Sequence, residues 1–340
     1  MRCETNRLSQ FPYSEEPSSH IAVHEATVSS LLCTQQQMTN GEWVPLSLDH
    51  PPYIPHIPRL YCGSLDEYYQ RKPWNTWEWR PYEDCMFTKW DAQAFCDMFQ
   101  NETILIMGDS LTEEHAYSLG ELLNLWKGGE NGGGYYDYRN ACSGSTEIMV
   151  QRDDTLNPEK VANALKENPR IAVFNRGAHY TDDDELMNGI QQIITLAHEW
   201  QERCREENRQ CLLIWRTSVP GHSDCRAYTT PINNLELMEQ RLQMGLEMGR
   251  FSKQWGWTKF NHQNELIINA LNESGLIFDV LDAYAINMLR PDSHTDCLHS
   301  CLGSKQDVYS QAILHLMRLR QQNMARFRVR LHEGKKGTIT

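Results

Sequence analysis

Four short apolar segments, separated by stretches with helical periodicity, constrain the fold of this chain more than any other feature. The apolar segments are residues 103–107, 171–174, 211–215 and 276–281. Each has the length of a strand that is buried on both faces. Apolar residues recur every three or four positions in the helical stretches, which are residues 186–197, 235–248 and 308–319. Strands that alternate with helices predict an α/β fold, a three-layer α/β/α sandwich with a mostly parallel sheet.

This pattern begins only after the first quarter of the 340-residue chain. The residues before it are either polar and aperiodic or rich in proline, tryptophan and tyrosine. The sequence therefore predicts a poorly ordered leader (1–32), one domain (33–325) made of an irregular N-terminal lobe (33–90) and an α/β core (91–325), and a C-terminal tail (326–340).

Eleven cysteines are more than an average cytosolic enzyme carries, and none of them forms a Cys-x-x-Cys pair. Scattered disulfides are the expected outcome, and Cys33, Cys62 and Cys85 are placed to staple the irregular lobe. Asn101 and Asn272 each begin an acceptor sequence for N-glycosylation. These features together favour the secretory pathway.

The sequence contains no apolar run of about 18 residues, the length that spans a bilayer. The residues after Met1 also lack the apolar centre of a signal peptide, so we expect neither a membrane anchor nor a signal peptide within this sequence. The net charge of −13 repels phosphate backbones and excludes nucleic acid as an expected partner. A neutral or basic substrate is easier to accommodate.

Ser110 is the best candidate nucleophile. The first apolar segment leads directly into Gly108, Asp109 and Ser110, and a helical stretch follows. A serine at that point lies at the carboxyl end of a strand and at a helix N-terminus, where backbone N–H groups can face an oxyanion. Gly108 permits the tight turn, and with Asp109 it is counted in the predicted oxyanion and substrate site. The alternative is that Ser110 only caps the helix.

Asp296 and His299 are the candidate activating pair, on the segment between the last strand and the last helix. A carboxylate three residues before a histidine can hold its Nδ1–H while Nε2 faces the serine. Asp292 and His294 form a rival pair. A third reading is that all four side chains bind a divalent metal, although no further ligands are obvious, and we expect no metal.

Two more strand ends carry polar side chains. Asn175 follows the second segment and precedes Gly177, so its amide is a candidate donor to an oxyanion. Arg216 follows the third segment and is interpreted mainly as structural support with a substrate contact in addition. An aromatic cluster in the N-terminal lobe, namely Trp74, Trp77 and Trp79, is a candidate surface for sugar stacking, although such clusters more often form core.

These motifs resemble the trichome-birefringence-like family of polysaccharide O-acetyltransferases, a branch of the PC-esterase group with an SGNH-hydrolase-like core. The resemblance covers roughly residues 33–320. It rests on Cys33, the Gly-x-Trp-Val element at 41–44, the Trp-x-Trp stretch at 77–85, the Gly-Asp-Ser motif at 108–110 and the Asp-x-x-His motif at 296–299. Further similar segments are 175–179, 216–222 and 290–294, and the position of the last favours Asp296/His299 over Asp292/His294. The chain departs from the family at 112–115 and 300–304.

The resemblance implies transfer of an acetyl group to hydroxyls of a glycan in the Golgi lumen or outside the cell. Ser110 carries the acetyl group, and the Ser110 and Gly177 backbone N–H groups with Asn175 bind the oxyanion. No tightly bound cofactor is implied, and acetyl-CoA or another activated acetyl donor acts as co-substrate. The resemblance also implies three disulfides: Cys33–Cys85, Cys62–Cys301 and Cys225–Cys297.

Two other functions fit the same residues. A carbohydrate acetylesterase would use the same triad, with water in place of the sugar hydroxyl. A non-catalytic glycan-binding or structural protein would keep the fold without turnover.

Overall fold

The computed structural model describes residues 32–46, 53, 55–57, 75–128, 134–248 and 256–336, with side chains described as far as residue 325. Leu31–Thr340 is one compact unit. Trp74, Cys62 and residues 1–31 of the predicted leader lie outside the described residues.

A five-stranded sheet forms the centre of the molecule. Its strands are β3 (Glu102–Gly108), β6 (Thr146–Arg152), β7 (Ile171–Phe174), β8 (Leu212–Arg216) and β9 (Phe278–Leu281). Their order across the sheet is β6-β3-β7-β8-β9, and every neighbouring pair is parallel. Two small antiparallel sheets pair β1 (Gly41–Pro45) with β2 (Trp77–Pro81), and β4 (Trp126–Gly128) with β5 (Gly134–Tyr136).

Helices cover both faces of the central sheet. They are α1 (Gln35–Thr39), α2 (Ala92–Met98), α3 (Ser110–Leu122), the kinked turn α4 (Ala141–Gly144), α5 (Pro158–Leu165), α6 (Asp183–Glu206), α7 (Leu235–Glu247), α8 (Phe260–Ser274), α9 (Ala283–Met288) and α10 (Lys305–Lys336). The predicted α/β class and layered architecture are therefore confirmed. The last helix begins near the predicted position and continues into the range predicted as a tail.

Strand β3 shows why the sheet must lie between two helical layers. Ile104 and Ile106 belong to a core that includes residues of α3 and α10, whereas Leu105 and Met107 belong to a core that includes residues of α5, α6 and α8. Successive side chains of a strand point to opposite faces. An uninterrupted apolar run therefore buries both faces only when each is covered.

The edge strand β6 was absent from the predicted set. Its side chains are partly exposed, and only Thr146 and Ile148 are buried. An edge strand has fewer apolar positions than a central one, so it produces a weaker sequence signal.

Disulfides reinforce the parts of the fold outside the sheet. The predicted bonds Cys33–Cys85 and Cys225–Cys297 are both present. Cys96–Cys142 and Cys204–Cys211 are also bonded and were not predicted. Cys301 is a disulfide cysteine, but its pairing with Cys62 stays a prediction because Cys62 lies outside the described residues.

The tryptophans of the N-terminal lobe are mainly structural. Trp79 is buried, its Nε1 donates to the Met38 carbonyl at 2.8 Å, and its ring contacts Trp43 edge to face at 5.6 Å. The proposed sugar contact is therefore wrong for Trp79, because both faces of its ring are inside the protein. Trp77 packs against the same core and is partly buried.

No helix in the described part of the chain combines the length and apolarity needed to cross a bilayer.

Candidate active site

Ser110 is the first residue of α3, two positions beyond the last residue of β3. Asp109 connects the two elements as the N-cap, and its Oδ1 accepts the N–H groups of Leu111 at 3.0 Å and Thr112 at 3.1 Å. These bonds satisfy two of the free N–H groups at the start of the helix. The cap therefore fixes the turn from which the serine side chain emerges.

Asp109 and Arg216 form a buried pair behind this turn. Arg216 NH2 lies 3.3 Å from Asp109 Oδ1 and donates to Thr112 Oγ1 at 2.6 Å. Both charged side chains are almost completely buried. Their assignment to the oxyanion and substrate site is corrected here, because both face the interior and hold the strand-to-helix turn in place.

Gly108 allows two neighbours to approach the strand end closely. A Cβ added at this position would lie 2.6 Å from Thr112 Oγ1 and 3.1 Å from the Asn175 carbonyl oxygen. Any side chain would therefore push the helix start and the end of β7 away from β3. The predicted need for glycine has this steric origin.

Three side chains converge at the carboxyl edge of the sheet. Ser110 Oγ lies 3.0 Å from His299 Nε2, and His299 Nδ1 lies 2.8 Å from Asp296 Oδ2. A carboxylate can accept a hydrogen bond only from a nitrogen that bears a proton, so His299 carries its proton on Nδ1. Its Nε2 is then free to accept a hydrogen bond from the serine hydroxyl. The structure thus brings together the three residues predicted as a triad, although 189 positions separate the serine from the histidine.

Asp296 also binds its own loop. Its Oδ1 accepts the backbone N–H groups of Leu298 at 3.1 Å and His299 at 2.7 Å. Burial alone would raise the pKa of Asp296, but the hydrogen bonds from the His299 ring and backbone outweigh it, so the pKa lies below the usual value. The carboxylate therefore stays ionised and orients the imidazole.

Residues 290–301, called the base loop below, carry this pair on an irregular backbone. Cys297 is bonded to Cys225, and its carbonyl accepts the His222 N–H at 2.7 Å. The same carbonyl packs against Gly221 so closely that a Cβ there would overlap it. The loop is therefore held by the Cys225–Cys297 bond and by a contact that requires glycine, and Cys301 at its end is a disulfide cysteine as well.

Glu114 holds the other side of the base loop, and sequence reasoning did not identify it. Its two oxygens both accept the Ser300 N–H at 3.1 Å, and one accepts from Gln306 at 3.2 Å. Burial raises the pKa of Glu114 to about 7, against the opposing charges of His299 and Lys305 and its own hydrogen bonds. Burial and the charge of Arg290 lower the pKa of Lys305 to about 7.

The rival pair does not reach the serine. Asp292 accepts two hydrogen bonds from Arg290, at 2.9 and 3.1 Å. His294 Nε2 lies 2.6 Å from His222 Nδ1, and His222 Nε2 donates to the Met288 carbonyl at 2.9 Å. Burial lowers the pKa of His222 to about 3.

The four side chains considered as metal ligands therefore belong to separate contacts. Asp292 binds Arg290, His294 binds His222, and Asp296 binds His299. Within the described ranges, no three His, Cys, Asp or Glu side chains are grouped closely enough to hold a metal ion.

Asn175 differs from its predicted role. Its Nδ2 donates to the Arg216 carbonyl at 2.9 Å and to Ser218 Oγ at 3.1 Å, which uses both amide protons. The prediction of an oxyanion donor is corrected accordingly, and Asn175 joins the ends of β7 and β8 instead. Within the described residues, the backbone N–H groups of Ser110 and Gly177 donate no hydrogen bond.

A serine hydroxyl, an imidazole and a carboxylate in this order can activate the hydroxyl for attack on a carbonyl carbon. The imidazole can then return the proton to a leaving group or take one from a second nucleophile. The α/β fold thus places a serine, a histidine and a carboxylate in an arrangement suited to acyl chemistry.

Comparison with known proteins adds a distant likeness of fold. No protein-family model and no curated protein matches the chain. Among solved structures, it is similar to a carbohydrate acetylesterase from Sinorhizobium meliloti, with 11% identity, a TM-score of 0.34, and coverage of 64% of this chain and 99% of that one. It is also similar to a GDSL-like lipase from Bacteroides thetaiotaomicron, with 12% identity, a TM-score of 0.34 and coverage of 66% and 89%. Sequence identities and TM-scores this low assign no activity to this chain.

Proposed function

We propose that the protein is an O-acetyltransferase that moves an acetyl group to a hydroxyl of a glycan or polysaccharide through an acetyl-serine intermediate. The observation that carries the proposal is the continuous hydrogen-bonded chain from Ser110 through His299 to Asp296. The resemblance of the sequence motifs to polysaccharide O-acetyltransferases supports the choice of acetyl group and glycan.

The first half-reaction loads the serine. His299 Nε2 takes the proton as Ser110 Oγ bonds to the acetyl carbonyl carbon of an activated donor, such as acetyl-CoA. The oxyanion then accepts from the Ser110 and Gly177 N–H groups, and the start of α3 adds its positive dipole end. Collapse breaks the bond to the leaving group, which receives the proton from His299.

The second half-reaction reverses these roles. His299 removes a proton from a sugar hydroxyl, whose oxygen attacks the acetyl-serine carbonyl. The new ester forms as the bond to Ser110 Oγ breaks, and His299 returns the proton to Ser110. Asp296 stays ionised throughout and stabilises the imidazolium.

A carbohydrate acetylesterase is the second candidate function, and the solvent exposure of the site is the observation that supports it. One third of the His299 side chain is exposed, so water can reach the acetyl-serine. The two activities differ only in which nucleophile arrives, water or a sugar hydroxyl. Acetate release that is unchanged by added glycan supports the esterase, whereas acetyl transfer to glycan at the expense of acetate supports the transferase.

The deciding experiment is mass spectrometry of the intact protein after exposure to an activated acetyl donor. We expect one added acetyl group, located on Ser110 by peptide mapping and absent from Ser110→Ala. A protein that never acquires this group, under donor conditions that acetylate other serine enzymes, supports the non-catalytic alternative. In that case Ser110→Ala binds glycan as well as the wild type.

The cellular location is part of the same proposal. Four disulfides within the described residues are typical of proteins folded in oxidising compartments. The predicted glycosylation acceptors Asn101 and Asn272 are both exposed. These observations support a glycoprotein of the Golgi lumen or the cell exterior.

A further inference from the structure

A groove beside α3 is lined by aromatic side chains that the proposed chemistry does not use. Its volume is about 460 Å³, and the aromatic residues that line it include Tyr117, Trp126, Tyr135, Tyr136 and Tyr138. We propose that this aromatic groove binds a neutral glycan and is the acceptor subsite of the enzyme. The proposal rests on the function proposed above and names the place where the acceptor binds.

Two of the rings in the aromatic groove, those of Tyr136 and Trp126, are held in fixed positions. Tyr136 lies directly on α3, where a Cβ added at Gly120 would meet the ring at 2.6 Å, and its hydroxyl donates to Glu121 at 2.5 Å. Trp126 contacts Tyr136 edge to face with centroids 5.2 Å apart, and it packs against the backbone of Gly134. A glycan therefore meets a preformed surface, and little conformational entropy is lost on binding.

The chemistry of this surface matches that of a sugar. A pyranose ring has an apolar C–H face and a rim of hydroxyls, so it needs aromatic faces beside hydrogen-bonding groups. Tyr135 is 64% exposed and offers a free ring face. The polar edge is supplied by Glu113, which accepts from the Tyr117 hydroxyl at 2.8 Å and pairs with Arg152 at 3.3 Å.

The groove is connected to the nucleophile through α3. Ser110, Glu113 and Tyr117 are separated by three and four residues, so they share one face of the helix. At about 1.5 Å per residue, Tyr117 lies about 10 Å along the helix from Ser110. Arg152 lies beside Gly108 in the sheet and connects this face to the catalytic edge. A glycan chain on the groove can thus extend to the acetyl-serine.

The charge around the groove favours a neutral occupant. Glu113 and Glu121 contact its tyrosines, and the whole chain carries a net charge of −13. Because Glu113 pairs with Arg152 and Glu121 with His56, the repulsion that a uronic acid polymer would meet comes from the net negative charge of the chain. A neutral glycan meets none.

The test measures binding of oligosaccharides to the full-length protein by calorimetry. The probes are neutral hexasaccharides of xylose, glucose and mannose, and an anionic hexamer of galacturonic acid. We expect a neutral hexasaccharide to bind, with its Kd raised about tenfold by Trp126→Ala and about three- to tenfold by Tyr135→Ala. Tyr82→Ala is the matched control, because Tyr82 is an exposed aromatic residue outside the groove.

Three results overturn the aromatic groove as a glycan site. They are equal affinity in the wild type and both groove variants, no binding of any neutral hexasaccharide at millimolar concentration, and tighter binding of the anionic hexamer. Tyr135→Ala keeps the test valid if Trp126→Ala fails to fold, because Tyr135 is a surface residue.

Acetylation of Ser110 in the wild type, measured without glycan, separates this proposal from the previous one. A protein that loads acetyl but shows no groove-dependent binding retains the catalytic proposal and loses the groove. A protein that binds glycan through the groove but never loads acetyl retains the groove as a glycan site and loses the transferase.

Discussion

Ser110 and His299 reach the same point from two differently built regions. Ser110 follows a strand that has neighbours on both sides, and the buried Asp109–Arg216 pair fixes its turn. His299 lies on the base loop, whose backbone has no helix or strand beyond a single bridge between His294 and Ser300. The first region is positioned by the sheet, and the second by disulfide cysteines and a few side-chain contacts. Damage to the first should therefore cost mainly folding stability, whereas damage to the second should cost activity as well as stability.

The largest expected effect comes from the two residues that meet at the boundary of these regions, Ser110 and His299. Ser110→Ala and His299→Ala should each lower kcat/KM by about 10³- to 10⁴-fold or more, because each removes one half of a single catalytic unit. The double variant should be little worse than either single one. Steady-state kinetics with an acetyl ester and thermal unfolding together check this prediction. Multiplicative losses in the double variant would show that the two residues act separately.

Asp109→Ala tests the region positioned by the sheet. It removes a helix cap and leaves Arg216 buried without its charge partner, so the free energy of unfolding should fall by about 3–5 kcal/mol. Asp91→Ala is the control, because Asp91 caps α2 through one exposed contact; its loss should be about 1 kcal/mol. Equal losses in urea titrations would contradict the structural role of the buried pair.

Removal of the Cys225–Cys297 disulfide tests the base loop. The double serine variant should lose about 10- to 100-fold in kcat/KM, since a base displaced by about 1 Å no longer meets the serine. The control removes Cys204–Cys211, a bond that spans 7 residues compared with 72 and lies away from the base loop.

This control variant should keep near-normal activity, and its free energy of unfolding should fall by about 2 kcal/mol. The corresponding loss for Cys225–Cys297, which closes the longer loop, should be about 4 kcal/mol. Full activity without Cys225–Cys297 would mean that the disulfide does not position the base.

The smallest effect concerns Glu114, which links the two regions. Its pKa is raised in the folded protein, so its contribution to stability is fully present below about pH 4.5 and is lost as the pH rises through about 7. Glu114→Gln removes this titration, and its free energy of unfolding should change less between pH 4.5 and 7 than that of the wild type.

Lys305 has the opposite effect, because its pKa is lowered to about 7 in the folded protein. The free energy of unfolding should therefore gain from Lys305 as the pH rises above about 7. The control for Glu114→Gln is Glu236→Gln, at an exposed position on α7. Denaturant titrations across the pH range check the result. An identical change of the free energy of unfolding with pH in the wild type and in Glu114→Gln would refute it.

The sequence allowed four of the five strands of the central sheet and the residues of the convergent triad to be predicted, and the physical reason is clear. Strands buried on both faces must be apolar throughout, and parallel strands bring their carboxyl ends to one edge. Ser110 directly follows such a strand, so its place at this edge is a consequence of topology, whereas His299 lies on the base loop and was identified from its motif. The motifs at 108–110 and 296–299 then narrowed the choice.

Side-chain direction and burial were the features that sequence reasoning missed. Glu114 occurs within a polar stretch of a helix and resembles a surface charge, yet α10 and the base loop enclose it. Asn175 has the right position for an oxyanion donor, but its amide faces β8. Nothing in the sequence reveals which way an amide turns, because the bonds that decide it come from residues about forty positions away.

The β4–β5 ribbon makes no pairing with the central sheet, although it supplies three of the rings beside α3. The ribbon that carries those rings is thus a separate sheet, and it contacts the scaffold of the reactive atoms through the packing of Tyr136 on α3. With the aromatic groove as the proposed acceptor subsite, exchange of this ribbon would alter which glycan is selected and leave the reacting atoms in place. In that arrangement, acyl chemistry and the choice of glycan depend on different elements of the fold.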